Sequence, residues 1–295
     1  MEPATLAQQL DAEQLLIVDL CHPRNWQQLH VPHAVHADPA ALMSQDPLRP
    51  GIMPSPQALN ALFASLGYNP EQHIVVYDDE GGGWAGRFIW MLDAIGHTRY
   101  SYLNGGLLAW YKEGHPLQQG LPDGTPTSMP DGRMPDGTPT FDNEGHPPRQ
   151  SAQAKEAMTV ELSLSVDNSA TLEDVMNAID DPSIALWDAR SAHEYAGLRT
   201  GSARAGHIPG AIHLDWESLK DPQSNLRLPS PEQLAHLLQS RGFEPSQRII
   251  TYCQSHHRSG LSYLVAKTLG YPVQAYPGAW AEWGNLPHTP IAQVA

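Results

Sequence analysis

A helix followed by an apolar strand is predicted twice along the chain. Residues 55–78 and 230–253 align without a gap at a constant offset of 175, and ten of the 24 positions are identical. Each block begins with Ser-Pro, which is typical of a helix N-cap followed by proline in the first turn, and leucines then recur at helical spacing. Each block ends in a short apolar run, at 74–77 and 249–252, of the kind found in buried parallel strands.

The repeat extends beyond these blocks on both sides. The matching pairs are LLIVDL at 15–20 with IALWDA at 184–189, HVPHAVHA at 30–37 with HIPGAIHL at 207–214, and GGLLAW at 105–110 with GAWAEW at 278–283. Strands alternate with helical stretches in both copies, which is typical of α/β proteins. The sequence therefore predicts two similar α/β domains, each with a mostly parallel sheet flanked by helices.

A segment without a periodic apolar face separates the two copies. Between about 114 and 157, Pro, Gly, Asp and Thr dominate and the motif PDGTPT occurs twice, which is the composition of turns and linkers. We therefore predict a first domain over residues 1–115, a linker over 116–157 and a second domain over 158–295.

Charge and cysteine usage restrict the partners and the compartment. The chain has 295 residues and a formal net charge of −15, and a surface this acidic repels nucleic acid and anionic membranes. Two cysteines, Cys21 and Cys253, are too few for a disulfide framework. The N-terminus lacks the basic and apolar regions of a signal peptide, and no apolar run reaches the roughly 18–20 residues that span a bilayer. We expect a soluble, cytoplasmic protein, and tandem copies that bury their interface within one chain favour a monomer.

The two copies differ most where the shared strand ends. The second copy continues from Cys253 as CQSHHRSG, whereas the first continues from Asp78 as DDEGGG. A loop between a parallel strand and a helix collects backbone N–H groups around one point, beside the positive end of the helix. A cysteine in such a loop, close to Arg258, should have a lowered pKa and act as a thiolate nucleophile. Asp78 cannot do so, and we therefore predict that the second copy alone is catalytic.

These residues resemble the rhodanese family over nearly the whole chain outside the linker. VQAYPGAWAEW at 273–283 is similar to the C-terminal signature of the family, and AGHIPGAIHLDW at 205–216 is similar to its other signature. An aromatic residue usually precedes the histidine of that signature by four positions. The first copy has Trp26 there, but the second has Ala203, which we interpret as loop variation. The resemblance implies a silent first domain and a second domain in which Cys253 carries sulfur as a persulfide.

The loop from Cys253 to Arg258, called the active loop below, most resembles that of bacterial thiosulfate:cyanide sulfurtransferases, which carry two histidines after the cysteine. The resemblance implies thiosulfate as donor, cyanide or another thiophilic compound as acceptor, and the persulfide as carrier without a metal or organic cofactor. Residues expected to hold the persulfide or substrate are Gln254, Ser255, His256, His257, Arg258 and Ser259. By the same resemblance, Arg190 matches an arginine that binds the substrate carboxylate in mercaptopyruvate-type relatives, and Arg199 and Arg204 could reach the mouth of the site.

Other functions would use similar residues. A 3-mercaptopyruvate sulfurtransferase needs the same nucleophile, and a persulfide carrier would deliver the sulfur to a partner protein. A phosphatase related to rhodaneses has five residues between cysteine and arginine, whereas this loop has four, a tighter nest better suited to one sulfur atom than to phosphate. Two groups could be interpreted as metal ligands but form incomplete sets, so we predict no metal site. These groups are Cys253 with His256 and His257, and His30 with His33 and His36.

Overall fold

The computed structural model describes residues 1–119, 162 and 164–294. The first domain contains, in chain order, α1 (Pro3–Ala7), β1 (Leu15–Asp19), α2 (Pro23–Gln28), β2 (Val35–His36), a 3-10 helix (Pro39–Leu42), α3 (Pro56–Ser65), β3 (His73–Tyr77), α4 (Gly83–Ala94), β4 (Tyr100–Tyr102) and α5 (Gly106–Lys112). Most of the predicted linker, residues 120–157, lies outside the described residues.

The second domain repeats this order. It contains α6 (Leu172–Ala178), β5 (Ile184–Asp188), α7 (Ala192–Tyr195), β6 (Ile212–His213), two 3-10 helices (Trp216–Leu219 and Pro222–Ser224), α8 (Pro231–Ser240), β7 (Arg248–Tyr252), α9 (Arg258–Thr268), β8 (Val273–Ala275) and α10 (Ala279–Trp283). In the part of the chain that the structure describes, no helix has the length and hydropathy needed to cross a membrane.

Each domain is built on one four-stranded parallel sheet. The strand orders are β2-β1-β3-β4 and β6-β5-β7-β8, so the two sheets have the same topology. The strands predicted from the apolar runs, β3 and β7, have neighbours on both sides, and their last four residues are buried. Strands buried on both faces must be apolar throughout rather than alternating, which is why the runs are visible in the sequence. The predicted α/β architecture is confirmed.

The Ser-Pro motifs begin two helices of equal length. The hydroxyl of Ser55 accepts from the N–H of Ala58 at the start of α3, and that of Ser230 accepts from the N–H of Gln233 at the start of α8. Each cap satisfies a backbone donor that the helix itself leaves free. These local hydrogen bonds explain why the same ten-residue helix forms in both copies.

The domains meet along α4 and α9, which approach closely at paired glycines. A Cβ on Gly86 would lie 2.2 Å from the carbonyl oxygen of Gly260, so neither helix tolerates a side chain there. Asp93 of α4 accepts hydrogen bonds from the Tyr263 hydroxyl (2.7 Å) and the Lys267 ammonium (2.6 Å) of α9. One hydrophobic core contains side chains of both domains. Because α9 begins where the active loop ends, the first domain supports that loop directly.

Candidate active site

Cys253 follows β7 directly and lies at the carboxyl end of the second sheet. Its side chain is 1% exposed. The N–H of Trp280 donates to the carbonyl of Cys253 (3.0 Å), and the N–H of Ala281 donates to that of Gln254 (2.9 Å). The signature segment that contains α10 therefore holds the start of the active loop by backbone hydrogen bonds as well as by packing.

Two hydrogen bonds lead from the sulfur into the protein. Ser259 Oγ donates to Cys253 Sγ at 3.4 Å, and His256 Nδ1 lies 2.9 Å from Ser259 Oγ. A hydroxyl has only one proton to donate, and Ser259 donates it to the sulfur. In the second hydrogen bond the hydroxyl oxygen must therefore accept, and Nδ1 of His256 must be the donor. Burial lowers the pKa of His256 well below its usual value, with Arg87 and His257 acting in the same direction. The ring is therefore neutral and carries its proton on Nδ1.

The environment favours the thiolate form of Cys253. Burial by itself raises the pKa of the thiol, but the charge of Arg258, the Ser259 hydroxyl and the backbone N–H groups of Ser259 and Ser255 outweigh it, and the net pKa is lowered. The positive end of α9 lies at the same place and favours an anion further. The lowered pKa agrees with what the loop sequence predicts.

Arg258 is held by a carboxylate that the sequence does not reveal. Its Nη1 and Nη2 donate to the two carboxylate oxygens of Glu194 at 2.7 and 2.9 Å. Burial would raise the pKa of Glu194, but Arg258 and Ser191 lower it to about 2. In the sequence, Ser191-x-x-Glu194 predicts a capping box, which does form at the start of α7. The second contact of Glu194 spans 64 residues and has no local signal.

The two histidines of the loop face different groups. His256 has φ of +53°, an unusual left-handed conformation that directs its ring towards Ser259. His257 faces the first domain instead, where its ring stacks on Trp84 at 4.0 Å and its Nε2 contacts the carboxylate of Glu80. His256 is therefore linked through Ser259 to the Cys253 sulfur, whereas His257 contacts the first domain.

The predicted substrate arginines lie in three different environments. Arg190 is fully buried and donates to the carboxylate of Asp188 through Nε (2.9 Å) and Nη2 (2.6 Å). Its Nη1 is buried without a hydrogen-bond partner in the described residues. The predicted binding of a substrate carboxylate would therefore use this nitrogen, and it stays a prediction. Arg199 lies exposed in the loop after α7. Arg204 donates to the carbonyls of Thr289 and Trp283. Its guanidinium therefore holds the C-terminal segment in place.

The aromatic residue of the second signature is Tyr195. In the first domain, the ring of Trp26 stacks on His30 at 3.8 Å, and in the second the ring of Tyr195 stacks on His207 at 3.7 Å. In both pairs the histidine Nδ1 bonds the carbonyl of the aromatic residue, at 3.0 and 2.8 Å. The interpretation of Ala203 as the equivalent position is therefore wrong. The aromatic residue lies 12 rather than four positions before the histidine, which means that the second copy contains eight additional residues.

These additional residues run along the active loop. The hydroxyl of Ser202 accepts from Nε2 of Gln254 at 3.2 Å and donates to the carbonyl of Trp280 at 3.0 Å. Arg199 belongs to the exposed part of this insertion. The insertion thus contacts the loop that follows Cys253, and the shorter first copy has no counterpart to it.

In the first domain, the loop after the strand binds its own carboxylate. Asp78 Oδ1 accepts from the N–H groups of Glu80, Gly81 and Gly82 at 3.2, 3.0 and 2.8 Å, and Oδ2 accepts from that of Ala85 at 3.0 Å. Burial and the neighbouring Glu80 raise the pKa of Asp78 to about 6. The N–H groups that could stabilise a sulfur anion are therefore occupied by a carboxylate of the same domain, and the catalytic silence of this copy stays a prediction.

Cys21, in the first domain, lies in an environment that disfavours a thiolate. Burial, with Asp19 and Asp79 nearby, raises the pKa of its thiol well above the usual value. In the alignment of the two copies Cys21 corresponds to Arg190, and the backbone carbonyl of each residue bonds a histidine ring. His36 Nε2 bonds the carbonyl of Cys21 at 3.0 Å, and His213 Nε2 bonds that of Arg190 at 2.8 Å. These histidines are parts of the common framework.

Comparison with known proteins places the chain in one family. The family described as rhodanese-like domain matches residues 2–113 and 171–286. Thiosulfate sulfurtransferases of Azotobacter vinelandii and Pseudomonas aeruginosa are each 42% identical over 292 residues, covering 99% of this chain and 96% of theirs. A sulfur carrier protein of Thermus thermophilus is 32% identical, covering 79% of this chain and 75% of its own. The crystal structure of a 3-mercaptopyruvate sulfotransferase from Escherichia coli superimposes with a TM-score of 0.72 at 26% identity, covering 95% of this chain and 98% of that one. The chain therefore belongs to the rhodanese family, with two rhodanese-like domains in tandem.

Proposed function

We propose that the protein is a thiosulfate sulfurtransferase in which Cys253 carries the sulfur as a persulfide. The observation that carries the proposal is the contrast between the two loops. In the second domain, N–H groups, a hydroxyl and a guanidinium surround a thiol with a lowered pKa, whereas the same loop of the first domain is filled by a carboxylate. The 42% identity to two thiosulfate sulfurtransferases supports thiosulfate as the donor.

The first half-reaction forms the persulfide. The Cys253 thiolate attacks the outer sulfur of thiosulfate, the S–S bond of thiosulfate breaks, and sulfite leaves with the bonding electron pair. The negative charge then lies on the terminal sulfur of the persulfide. The positive charge of Arg258 and the loop N–H groups stabilise this anion as they stabilise the thiolate. The step needs no proton transfer and no external oxidant or reductant.

The second half-reaction returns the thiolate. A nucleophilic acceptor such as cyanide attacks the terminal sulfur, the S–S bond of the persulfide breaks, and the Cys253 sulfur leaves with its electron pair while thiocyanate is released. The hydrogen bond from Ser259 stabilises this leaving thiolate. Because the side chain of Cys253 is 1% exposed, small and slender acceptors reach the sulfur more easily than bulky ones.

The test compares two donors and two cysteines. Thiocyanate formation from thiosulfate and cyanide, and pyruvate release from 3-mercaptopyruvate, are measured for the wild type, Cys253→Ala and Cys21→Ala. We expect thiosulfate to be preferred, Cys253→Ala to be inactive and Cys21→Ala to keep wild-type turnover. Intact mass after incubation with thiosulfate should rise by one sulfur atom, and an adduct that persists in Cys253→Ala would refute the assignment of the nucleophile.

Two alternative functions use the same persulfide chemistry, and the same protein variants distinguish them from the proposed one. Preference for 3-mercaptopyruvate would keep the nucleophile and change the donor. A persulfide that passes to a partner protein much faster than to cyanide would indicate a carrier, an alternative that the similarity to the Thermus thermophilus protein supports. A phosphatase is disfavoured because Glu194 occupies both terminal nitrogens of Arg258, the fork that would otherwise bind phosphate.

We further propose that the protein acts as a cytoplasmic monomer, without a metal or organic cofactor and without nucleic acid or membrane partners. The shared core of the two domains supports the monomer, because the helix face that would otherwise need a partner is covered within the chain. Sedimentation equilibrium of the full chain, and turnover after exhaustive dialysis against a chelator, test these points.

A further inference from the structure

Arg87 of the silent domain is a buried cation directed at the active loop. Its side chain is fully buried in α4. A guanidinium has five N–H donors, and all five are matched by backbone carbonyls. The contacts are Nε to Leu42 (3.2 Å), Nη2 to Leu42 (2.6 Å) and Ile52 (3.4 Å), and Nη1 to Gly51 (2.8 Å) and His256 (3.2 Å).

These carbonyls belong to two segments that meet at Arg87. Residues 42–52 belong to the first domain, and their backbone packs directly on the active loop, since a Cβ on Gly51 would lie 2.5 Å from the carbonyl oxygen of Ser255. His256 belongs to the loop itself and holds a left-handed backbone conformation. One guanidinium therefore ties a loop of the silent domain to the strained residue of the catalytic loop.

The charge of Arg87 has no carboxylate partner among the described residues. Burying a cation without an anion is costly. Burial lowers the pKa of Arg87 to about 9, and the anion that opposes this shift is the Cys253 thiolate. The charged and titratable groups that interact with this loop in the described residues include Arg258 with its partner Glu194, His256, His257 with its partner Glu80, and Arg87. Within this set Arg258 divides its attraction between the sulfur and an adjacent carboxylate, whereas Arg87 has no adjacent carboxylate.

We propose that Arg87 is a positioning residue of the catalytic site, supplied by the silent domain. Its hydrogen bond fixes the carbonyl of His256 and thereby orients the His256–Ser259–Cys253 chain, while its charge lies beneath the loop that carries the sulfur anion. This inference rests on Cys253 as the nucleophile of the proposed function. It gives the silent copy a chemical role in addition to covering the interface.

The test measures the thiolate directly and needs no sulfur donor. The rate of Cys253 alkylation by iodoacetamide is recorded against pH in a Cys21→Ala background, for the parent protein, Arg87→Met and Arg87→Lys. Lys267→Met is the matched control, because Lys267 also bonds across the α4–α9 interface but does not contact the loop. Circular dichroism and thermal unfolding establish that each variant is folded.

We expect Arg87→Met to move the alkylation midpoint upward by about one pH unit, which slows alkylation below the midpoint about tenfold. Arg87→Lys should give a smaller shift in the same direction, because an ammonium keeps the charge but cannot reach all the carbonyls. Lys267→Met should keep the parent midpoint. An unchanged midpoint in folded Arg87→Met, or an equal shift in Lys267→Met, would overturn the proposal. If Arg87→Met does not fold, a parent-like midpoint in Arg87→Lys overturns it.

These outcomes are separate from those of the proposed function. A parent protein that alkylates at Cys253 but takes no sulfur from thiosulfate would refute the donor and leave the role of Arg87 to be decided by the midpoints. A parent protein that transfers sulfur normally while Arg87→Met shows no shift would refute the role of Arg87 alone.

Discussion

Replacing Ser259 with alanine removes the hydroxyl that links the nucleophile to His256. The variant loses the 3.4 Å hydrogen bond to the Cys253 sulfur and leaves the Nδ1–H of His256 without its acceptor. The first loss destabilises the thiolate relative to the thiol. The second leaves an unsatisfied donor in the buried interior, which lowers the free energy of unfolding by about 1–3 kcal/mol.

The size of the pKa change follows from the geometry. A hydrogen bond to a charged group contributes about 1.5–3 kcal/mol, and the 3.4 Å contact to sulfur puts this one at the lower end. Since one pKa unit corresponds to about 1.4 kcal/mol, the pKa of Cys253 should rise by about one unit. Below the pKa, the thiolate fraction and the rate of persulfide formation should then fall about tenfold.

The assay combines the pH profile of persulfide formation from thiosulfate with thermal unfolding, and the control is Ser262→Ala. Ser262 lies one turn further along α9 and is equally buried, but its hydroxyl has no hydrogen-bond partner in the described residues. We expect Ser262→Ala to keep the wild-type midpoint and stability. The reasoning is refuted if Ser259→Ala keeps the wild-type midpoint, or if both variants shift it equally.

Three further changes test other parts of the structure. Glu194→Gln should lower the free energy of unfolding at neutral pH by about 1–2 kcal/mol in urea titrations, because it breaks a partly exposed ion pair. Since the folded pKa of Glu194 is about 2, this stability is present above the unfolded pKa of about 4.3 and is lost as pH falls towards 2, so variant and wild type should converge in acid. Asp78→Cys, in a Cys253→Ala background, should gain no sulfur mass from thiosulfate, because neighbouring carboxylates disfavour a thiolate, and an adduct would contradict this account of the silent copy. Gly86→Ala should lower the unfolding free energy by about 2–3 kcal/mol, because its Cβ would lie 2.2 Å from a carbonyl of the facing helix, and an unchanged unfolding midpoint would argue against that close approach.

The elements that could be predicted are those with local causes. The caps at Ser55 and Ser230 form between residues three positions apart, and the apolar runs become strands buried on both faces. The repeat served as an internal comparison, because a thiol in one copy and a carboxylate in the other follow the same strand. For that reason the sequence alone could predict Cys253 as the nucleophile together with its loop.

The second aromatic stack shows where a spacing rule fails. Position counting led to Ala203, whereas packing on the histidine selected Tyr195, because an eight-residue insertion separates the two in sequence without separating them in space. Insertions on the surface cost little loop-closure entropy, so a contact shared by both copies can tolerate a different spacing in each.

By itself, the sequence determined the two-domain α/β architecture, and it predicted a silent first copy and Cys253 as the nucleophile, since these follow from local patterns and from their comparison between the two copies. Only the tertiary structure decided which groups surround the sulfur. Glu194 reaches Arg258 across 64 residues, and Arg87 reaches the carbonyl of His256 across 169. Such contacts depend on how the helices pack, and the sequence around one partner does not indicate which distant residue it will contact.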